Sequence, residues 1–276
     1  MAVSRRIGNT EIFALTDAEG GFFTHRHDAF PAATPEQWRA ADRFDPGAVT
    51  TEGRWWLQFR CFAVRTAGGV TMIDTGVGPA DSPAASWAPV PGRLPEELAE
   101  VGISPDDVTR VVMTHLHTDH IGWSVTRRDD RLLPFFPNAE YLLQAAELAA
   151  VRELNPHLRH TLIAPLQEAG RLRVVDGDER LSPELRAVAT PGHTPGHQSV
   201  LVDDGTDLVT ITGDLLVHPI QLLYPDVAYS HESDPELARR SRVALLHEAA
   251  ERHGELATPH LTEPFLRVPE GTLPSR

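Results

Sequence analysis

A cluster of four potential metal ligands within six residues limits most strongly what this chain can fold into. The cluster is the His-Leu-His-Thr-Asp-His run of residues 115–120, and it follows an apolar stretch that is typical of a buried β-strand. Side chains alternate in an extended segment, so His115 and His117 point to the same side and can hold one metal ion together. Asp119 and His120 come where the chain turns, and they can reach a second ion.

Three further candidate ligands, His193, Asp214 and His260, follow much later in the chain. They lie 73, then 21, then 46 residues apart, counted from His120, so the whole fold must assemble the site. Imidazole nitrogen and carboxylate oxygen are the ligands that zinc and similar ions take. Because Asp214 has two oxygens, it can bridge two ions. The sequence therefore predicts two divalent metal ions, with zinc as the first choice and iron, manganese or cobalt as alternatives.

The charge balance excludes some classes of partner. The 276 residues include 25 basic and 39 acidic side chains, a formal net charge of −14. Phosphate binding needs a basic surface, so we expect a small-molecule substrate and no nucleic acid. No stretch approaches the ~18 apolar residues of a membrane span, and no apolar run follows the basic start of the chain. We therefore expect a cytoplasmic protein that does not bind a membrane.

Strand-rich blocks occur in both halves of the chain, each followed by a helix, which indicates layered sheets with helices outside. At this length we expect one domain over residues 1–276. Two segments interrupt the pattern: an irregular N-terminal arm over about 17–54, and a Pro-rich flap over about 78–95. Apolar residues in both segments are compatible with a homodimer. The last long helix is predicted to begin after Asp234 as N-cap, with Pro235 in its first turn.

The ligand run of 115–120, together with the later His, Asp and His, resembles the HxHxDH signature and later ligands of the metallo-β-lactamase superfamily. The Asp-Thr-Gly run of residues 74–76 resembles a turn of the same family, and the resemblance covers roughly residues 55–260. It implies a four-layer αβ/βα sandwich, of the α/β class, with a dinuclear site between the sheets. It assigns one set of ligands to each ion and one residue to both: His115, His117 and His193 to the first, Asp119, His120 and His260 to the second, and Asp214 to the bridge.

The bridging Asp214 separates this chain from the true β-lactamases, and makes it similar to the lactonase, organophosphate-hydrolase and glyoxalase II branches. For two neighbouring cations the predicted chemistry is attack by a metal-bridging hydroxide on a lactone or ester of a small molecule. Asp119 is the predicted catalytic acid, since it is placed to pass a proton to the leaving oxygen.

Residues of the substrate pocket are harder to identify. The acyl-homoserine lactonases carry a Tyr three residues after the bridging Asp, where this chain has Val217. His218, one residue on, is the predicted catalytic hydrogen-bond donor to the substrate carbonyl, and a solvent-facing loop histidine is the alternative. Gln221 and Tyr224 are further candidates. The following aromatic residues are candidates for an apolar wall, with core packing as the alternative: Phe22, Phe23, Trp87 and Trp123.

Three other functions stay open. The same scaffold can hydrolyse phosphotriesters or thioesters. A mononuclear iron oxidoreductase, similar to the sulfur dioxygenases, is a second class of function beside the hydrolases. Flavin-linked di-iron relatives have Glu where this chain has His117, which argues against them. A metal-binding protein without catalysis is a third class, and the intact Asp214 argues against it.

Overall fold

The computed structural model describes residues 2–273, which fold into two facing sheets with helices on both outer sides. The strands are β1 Val3–Ile7, β2 Thr10–Gly21, β3 Trp56–Thr66, β4 Gly69–Ile73, β5 Val108–Val112, β6 Val125–Arg128, β7 Arg131–Pro134, β8 Glu140–Gln144, β9 Leu172–Val175, β10 Glu179–Arg180, β11 Leu185–Ala189, β12 Gln198–Asp203, β13 Leu208–Ile211, β14 Glu255–Ala257 and β15 Phe265–Arg267. The helices are α1 Arg26–Ala29, α2 Pro35–Phe44, α3 Leu94–Glu100, α4 Ala145–Leu154, α5 Ala164–Glu168, α6 Pro219–Leu223 and α7 Pro235–Glu251. Within 2–273, none of these helices has both the length and the apolar character needed to cross a bilayer.

The order of the strands brings the predicted ligands to one edge. The first sheet runs β1-β2-β3-β4-β5-β8-β9 and the second runs β10 to β15 in sequence, while β6 and β7 form a separate hairpin. Strands β4, β5, β8 and β9 are parallel to one another, as are β13 and β14. The carboxyl ends of parallel strands meet at the same edge of a sheet, and the ligand-bearing loops follow β5, β11, β13 and β14.

Strand β3 shows how the layers are held together. Phe62 and Val64 point into an apolar core between the two sheets, where residues of the second sheet such as Val200 meet them. Cys61 and Ala63 point the other way, into a core that includes residues of α3 and α5. Because side chains alternate, the apolar run of residues 61–64 is buried on both faces of the sheet. This confirms the predicted αβ/βα sandwich.

The predicted irregular arm over about 17–54 contains regular structure, which corrects that prediction. Strand β2 continues to Gly21, and α2 occupies residues 35–44. The Thr34 side chain accepts the Gln37 N–H, the Gln37 side chain accepts the Thr34 N–H, and Pro35 stands in the first turn. This capping box is a strong start signal for a helix, and the surrounding Pro and Gly residues obscured it in the sequence.

The Pro-rich segment is a loop up to Arg93, as predicted, and α3 begins at Leu94. A buried carboxylate, Asp17 of β2, holds both ends of this loop. It accepts hydrogen bonds from the backbone N–H groups of Val77 (2.7 Å) and Leu94 (2.6 Å). Burial raises the pKa of Asp17, although these hydrogen bonds oppose the rise. A Cβ at Gly92 would overlap the Asp17 carboxylate, so this position requires glycine.

Replacing Asp17 by Ala leaves several buried N–H groups without an acceptor. We expect the free energy of unfolding to fall by about 3 kcal/mol, measured by urea titration. Asp81→Ala is the control, since Asp81 is an exposed carboxylate of the same loop, paired only at 3.7 Å with Arg127. It should change stability by less than about 0.5 kcal/mol. Equal effects of the two substitutions would contradict the role given to Asp17.

Candidate metal centre

The structure brings all seven predicted ligands together in two adjacent groups. Within each group the potential ligand atoms lie within 4.8 Å of one another. The groups are His115, His117, His193 and Asp214, and Asp119, His120 and His260. Each member comes from a loop that follows a strand of one sheet or the other, so the sheet edges fix the positions of the ligands.

Asp214 lies between the two groups and presents one oxygen to each. Its Oδ2 is 3.3 Å from His193 Nε2 and 3.6 Å from His115 Nε2. Its Oδ1 is 3.3 Å from His120 Nε2 and 3.1 Å from His260 Nε2. This is the arrangement of a carboxylate that can contact two cations at once.

The ring nitrogens converge at distances that are compatible with a shared metal ion. His117 Nδ1 lies 3.0 Å from His115 Nε2 and 2.9 Å from His193 Nε2, and His120 Nε2 lies 3.3 Å from His260 Nε2. Ligands at 2.0–2.1 Å around a tetrahedral zinc ion are separated by about 3.3 Å. Burial lowers the pKa of His115 and His117, which keeps both rings in the neutral form that binds metals.

The local field at the second group favours a cation. Burial by itself lowers the pKa of His120, but the carboxylates of Asp214, Asp119 and Asp74 more than offset this and raise it. The field that holds a proton on a buried imidazole also stabilises a divalent cation at the same place. The donor set and its field therefore support divalent metal binding.

Neighbouring groups orient the ligands. His120 Nδ1 lies 2.8 Å from Asp74 Oδ2, and Asp74 also accepts the N–H of Thr114 at 2.8 Å. His260 donates through Nδ1 to the Gln58 carbonyl at 2.8 Å, which leaves Nε2 free to face Asp214. Such contacts fix the tautomer and the direction of each ring.

The buried side chain of His197 holds the backbone of Asp214. Its Nε2 accepts the Asp214 N–H at 2.9 Å, and its Nδ1 lies 3.1 Å from the Thr190 carbonyl. Since Nε2 accepts, the ring proton is on Nδ1 and is donated to Thr190. Burial lowers the pKa of His197 to about 3, so the ring stays neutral and keeps this tautomer.

A buried carboxylate that the sequence did not point to, Glu147 of α4, joins two ligand loops. Its Oε1 accepts the Leu116 N–H between His115 and His117, and its Oε2 accepts the Gly196 N–H beyond His193, both at 2.9 Å. An acidic residue in the first turn of a helix is usually exposed. The sequence therefore carried no signal that this carboxylate faces inward.

A cavity of about 170 Å³ opens over both ligand groups. Its floor includes His117, Asp119 and Asp214, and its wall is largely aromatic. The wall residues with rings are Phe22, Phe23, Trp55, Trp87, Tyr229 and His231. The structure thus places three of the four predicted aromatic residues in the wall. Trp123 instead donates to Asp17 at 3.0 Å and packs on Phe135.

His218 is not brought to the cavity floor. Its ring is buried behind the wall, with its centroid 5.3–5.4 Å from those of Phe30, Trp38 and Trp55. Its Nδ1 accepts the Ile220 N–H at the start of α6, and burial lowers its pKa to about 3. This position favours a packing and helix-capping role for His218 over the predicted donor role. The alternative, a solvent-facing loop histidine, is wrong because the ring is buried.

The two other candidates from this segment also lie behind the wall. Gln221 is buried, and its amide hydrogen-bonds to protein groups rather than facing the cavity. Tyr224 packs against the aromatic cluster that contains Trp38 and Trp55. Residues near Asp214 in sequence are carried away from the floor because the chain turns into α6.

The segment 225–232 supplies two wall residues that the sequence analysis did not select. The Tyr229 ring lies parallel to that of His193, with centroids 6.0 Å apart. Burial and the charges of Asp214 and Asp119 raise the pKa of Tyr229, so its hydroxyl keeps its proton. His231 also lines the cavity, beside Tyr229.

This chain belongs to the metallo-beta-lactamase superfamily, whose sequence profile matches residues 54–260. The family and the two ligand groups make it a metal-dependent hydrolase. An N-acyl homoserine lactonase of Bacillus cereus is 27% identical over 188 residues, which cover 63% of this chain and 70% of that protein.

Two solved structures show the same fold at 22% identity, each over 100% of this chain and 97% of the other. One is the hydrolase AbOPH of the beta lactamase superfamily, with a TM-score of 0.79. The other is AidC, a dizinc quorum-quenching lactonase in complex with a product, with a TM-score of 0.77.

Asp74→Asn replaces one acceptor of the His120 ring by an amide and weakens its orientation. We expect the affinity for zinc to fall about 10- to 100-fold, measured by competition with a chromophoric chelator. Asp203→Asn is the control, because Asp203 pairs with Arg252 on the surface of the second sheet. If Asp74→Asn bound zinc as tightly as this control, the orienting role of Asp74 would be wrong.

Proposed function

We propose that the protein hydrolyses a lactone or ester of a small, neutral molecule at a site of two divalent metal ions. The observation that carries the proposal is the position of Asp214, with one carboxylate oxygen toward each ligand group. When bound, two such ions would lower the pKa of water and polarise a substrate carbonyl. The N-acyl homoserine lactonase relatives, by their name, act on lactones.

Asp119 and Tyr229 would handle protons and hydrogen bonds in this reaction. Asp119 Oδ2 lies 3.5 Å from His120 Nε2, and the side chain also lines the cavity, so it can hold a metal and still carry a proton to the leaving oxygen. Tyr229 offers a protonated hydroxyl at the cavity wall. We assign to it the donor role toward the substrate carbonyl that the sequence had given to His218.

The cavity wall indicates a neutral and partly apolar substrate. Among the described residues that line it there is no Lys or Arg to pair with an anionic group. Phe22 packs on Phe23 and Trp55 with ring centroids 4.3 and 4.7 Å apart. Aromatic surface of this kind binds acyl or aryl groups and excludes water. The same features fit an aryl phosphotriester, which is the second candidate.

A substrate panel tests the reaction class. Zinc-loaded protein is assayed with an N-acyl homoserine lactone, an aryl ester, a thioester and an aryl phosphotriester. We expect the lactone or the ester to give the highest kcat/KM. If two ions remain bound and all four compounds are inert, the proposed function is wrong. Hydrolysis of the phosphotriester alone would select the second candidate.

Asp214→Ala removes the carboxylate that faces both ligand groups. We expect fewer than two ions per chain by metal analysis, and a loss of kcat of at least about 100-fold on the best substrate. Asp203→Ala serves as the control, since it removes a carboxylate far from the cavity. An unchanged kcat in Asp214→Ala would contradict the proposed site of two metal ions.

Tyr229→Phe removes only the hydroxyl. We expect kcat/KM to fall about 10- to 100-fold, as for the loss of one donor to a developing negative charge. The metal content should not change. Tyr224→Phe is the matched control, because Tyr224 belongs to the same part of the chain but packs behind the wall. Equal activity of the two variants would exclude Tyr229 as the donor.

A further inference from the structure

Three buried polar side chains, Gln221, Glu232 and Arg242, stand directly behind the wall of the cavity. We call them the polar bracket. Their side chains join α6, the segment 225–232 and α7. The Glu232 and Arg242 side chains are each only 1% exposed. None of the three is a metal ligand, and none lines the cavity.

The bracket is connected through one carboxylate oxygen. Arg242 Nη1 donates to Glu232 Oε1 at 2.8 Å, and Gln221 Nε2 donates to the same oxygen at 3.1 Å. Arg242 Nε donates in addition to the Pro225 carbonyl at 3.0 Å. Helix α7 is therefore tied to both ends of the segment that carries Tyr229.

Each member of the bracket also holds the backbone of the cavity. Gln221 Oε1 accepts the N–H of Val217, a lining residue, at 3.0 Å. Glu232 Oε2 accepts the N–H of Tyr229 at 3.2 Å. Arg242 Nη1 donates to the carbonyl of Leu215, directly after Asp214, at 2.9 Å. Three points of the floor and wall are thus fixed by one buried network.

Stability alone does not account for this network. Removing two charges from water is costly, and apolar residues of similar volume often replace a buried ion pair without loss of stability. Arg242 Nη2 is in addition buried without a hydrogen-bond partner among the described residues. The network is better explained by geometry, because it fixes three backbone positions that apolar side chains would leave unconstrained.

We propose that Gln221, Glu232 and Arg242 are positioning residues that set the shape of the substrate cavity. They act through Tyr229, Val217 and the Asp214 turn, without touching the substrate. Because they hold backbone groups rather than the reacting side chains, they determine KM and the preference for substrate size, while the metal ligands, Asp119 and the Tyr229 hydroxyl determine turnover. This inference rests on the proposed hydrolytic function for its kinetic readout.

Glu232→Gln tests the bracket with little change of shape. An amide cannot accept through both of its ends, so either Arg242 or the Tyr229 N–H loses its partner. With the best substrate of the panel and its homologues of different acyl length, we expect KM to rise about tenfold. The kcat should change less than threefold, the preference for acyl length should flatten, and metal content should stay the same.

Arg252→Met is the matched control. Arg252 stands at the end of α7 and makes an equally close ion pair with Asp203, at 2.8 and 3.0 Å, but on the surface of the second sheet. It should leave KM and the size preference unchanged. Arg242→Lys keeps the charge of the bracket with fewer donors, so its KM should lie between those of the wild type and Glu232→Gln.

Gln221→Met decides the question if Glu232→Gln does not fold, since it removes the contacts to Val217 and Glu232 without leaving a lone charge. A folded variant of either kind with unchanged KM and size preference would overturn the proposal. So would a loss confined to kcat or to metal content.

Amide hydrogen exchange separates this proposal from the proposed function, because it needs no substrate. The N–H of Val217 should exchange faster in Gln221→Met and that of Tyr229 in Glu232→Gln, while those of β5 should not change. If the wild type is inert toward the whole panel, the proposed function fails, and the exchange rates alone then decide on the bracket. Unchanged rates at Val217 and Tyr229 would refute it.

Discussion

The structure depends on one electrostatic constraint: a buried carboxylate, Asp214, is surrounded by imidazole rings at 3.1–3.6 Å. A charge removed from water needs compensation by opposite charge and by hydrogen bonds. Divalent cations at the two ligand groups would supply the first, and the His197 ring supplies part of the second. Cations that bind the folded chain but not the unfolded one also stabilise the fold. Chemistry and stability therefore depend on the same few atoms.

The elements that were predictable from sequence are those with local signals. The ligands His115 to His120 were recognisable because an apolar strand leads directly into them. Helix α7 begins where its cap predicted, since Asp234 accepts the Leu237 N–H and Pro235 occupies the first turn. In each case the residues that carry the signal lie within a few positions of the feature.

The features that were missed depend on contacts between distant parts of the chain. Asp17 meets Val77 across 60 residues, and Glu147 meets Gly196 across 49. In the sequence both resemble the many surface acids of this acidic chain. The expectation that His218 reaches the cavity floor rested on its nearness to Asp214 in sequence, which does not correspond to nearness in space. The turn into α6 rotates His218 into the aromatic core, and Tyr229, farther along, takes the position at the wall.

The floor and the wall of the cavity have separate origins. The floor is set by loops at the ends of buried strands, whose positions the two sheets determine. The wall is assembled largely from residues outside the strands: Phe22 just after β2, Trp87 in the Pro-rich loop, and Tyr229 before α7. Changes in those pieces alter which molecule fits and leave the ligands in place. In a scaffold divided in this way, the substrate can change during evolution while the metal-binding residues stay the same.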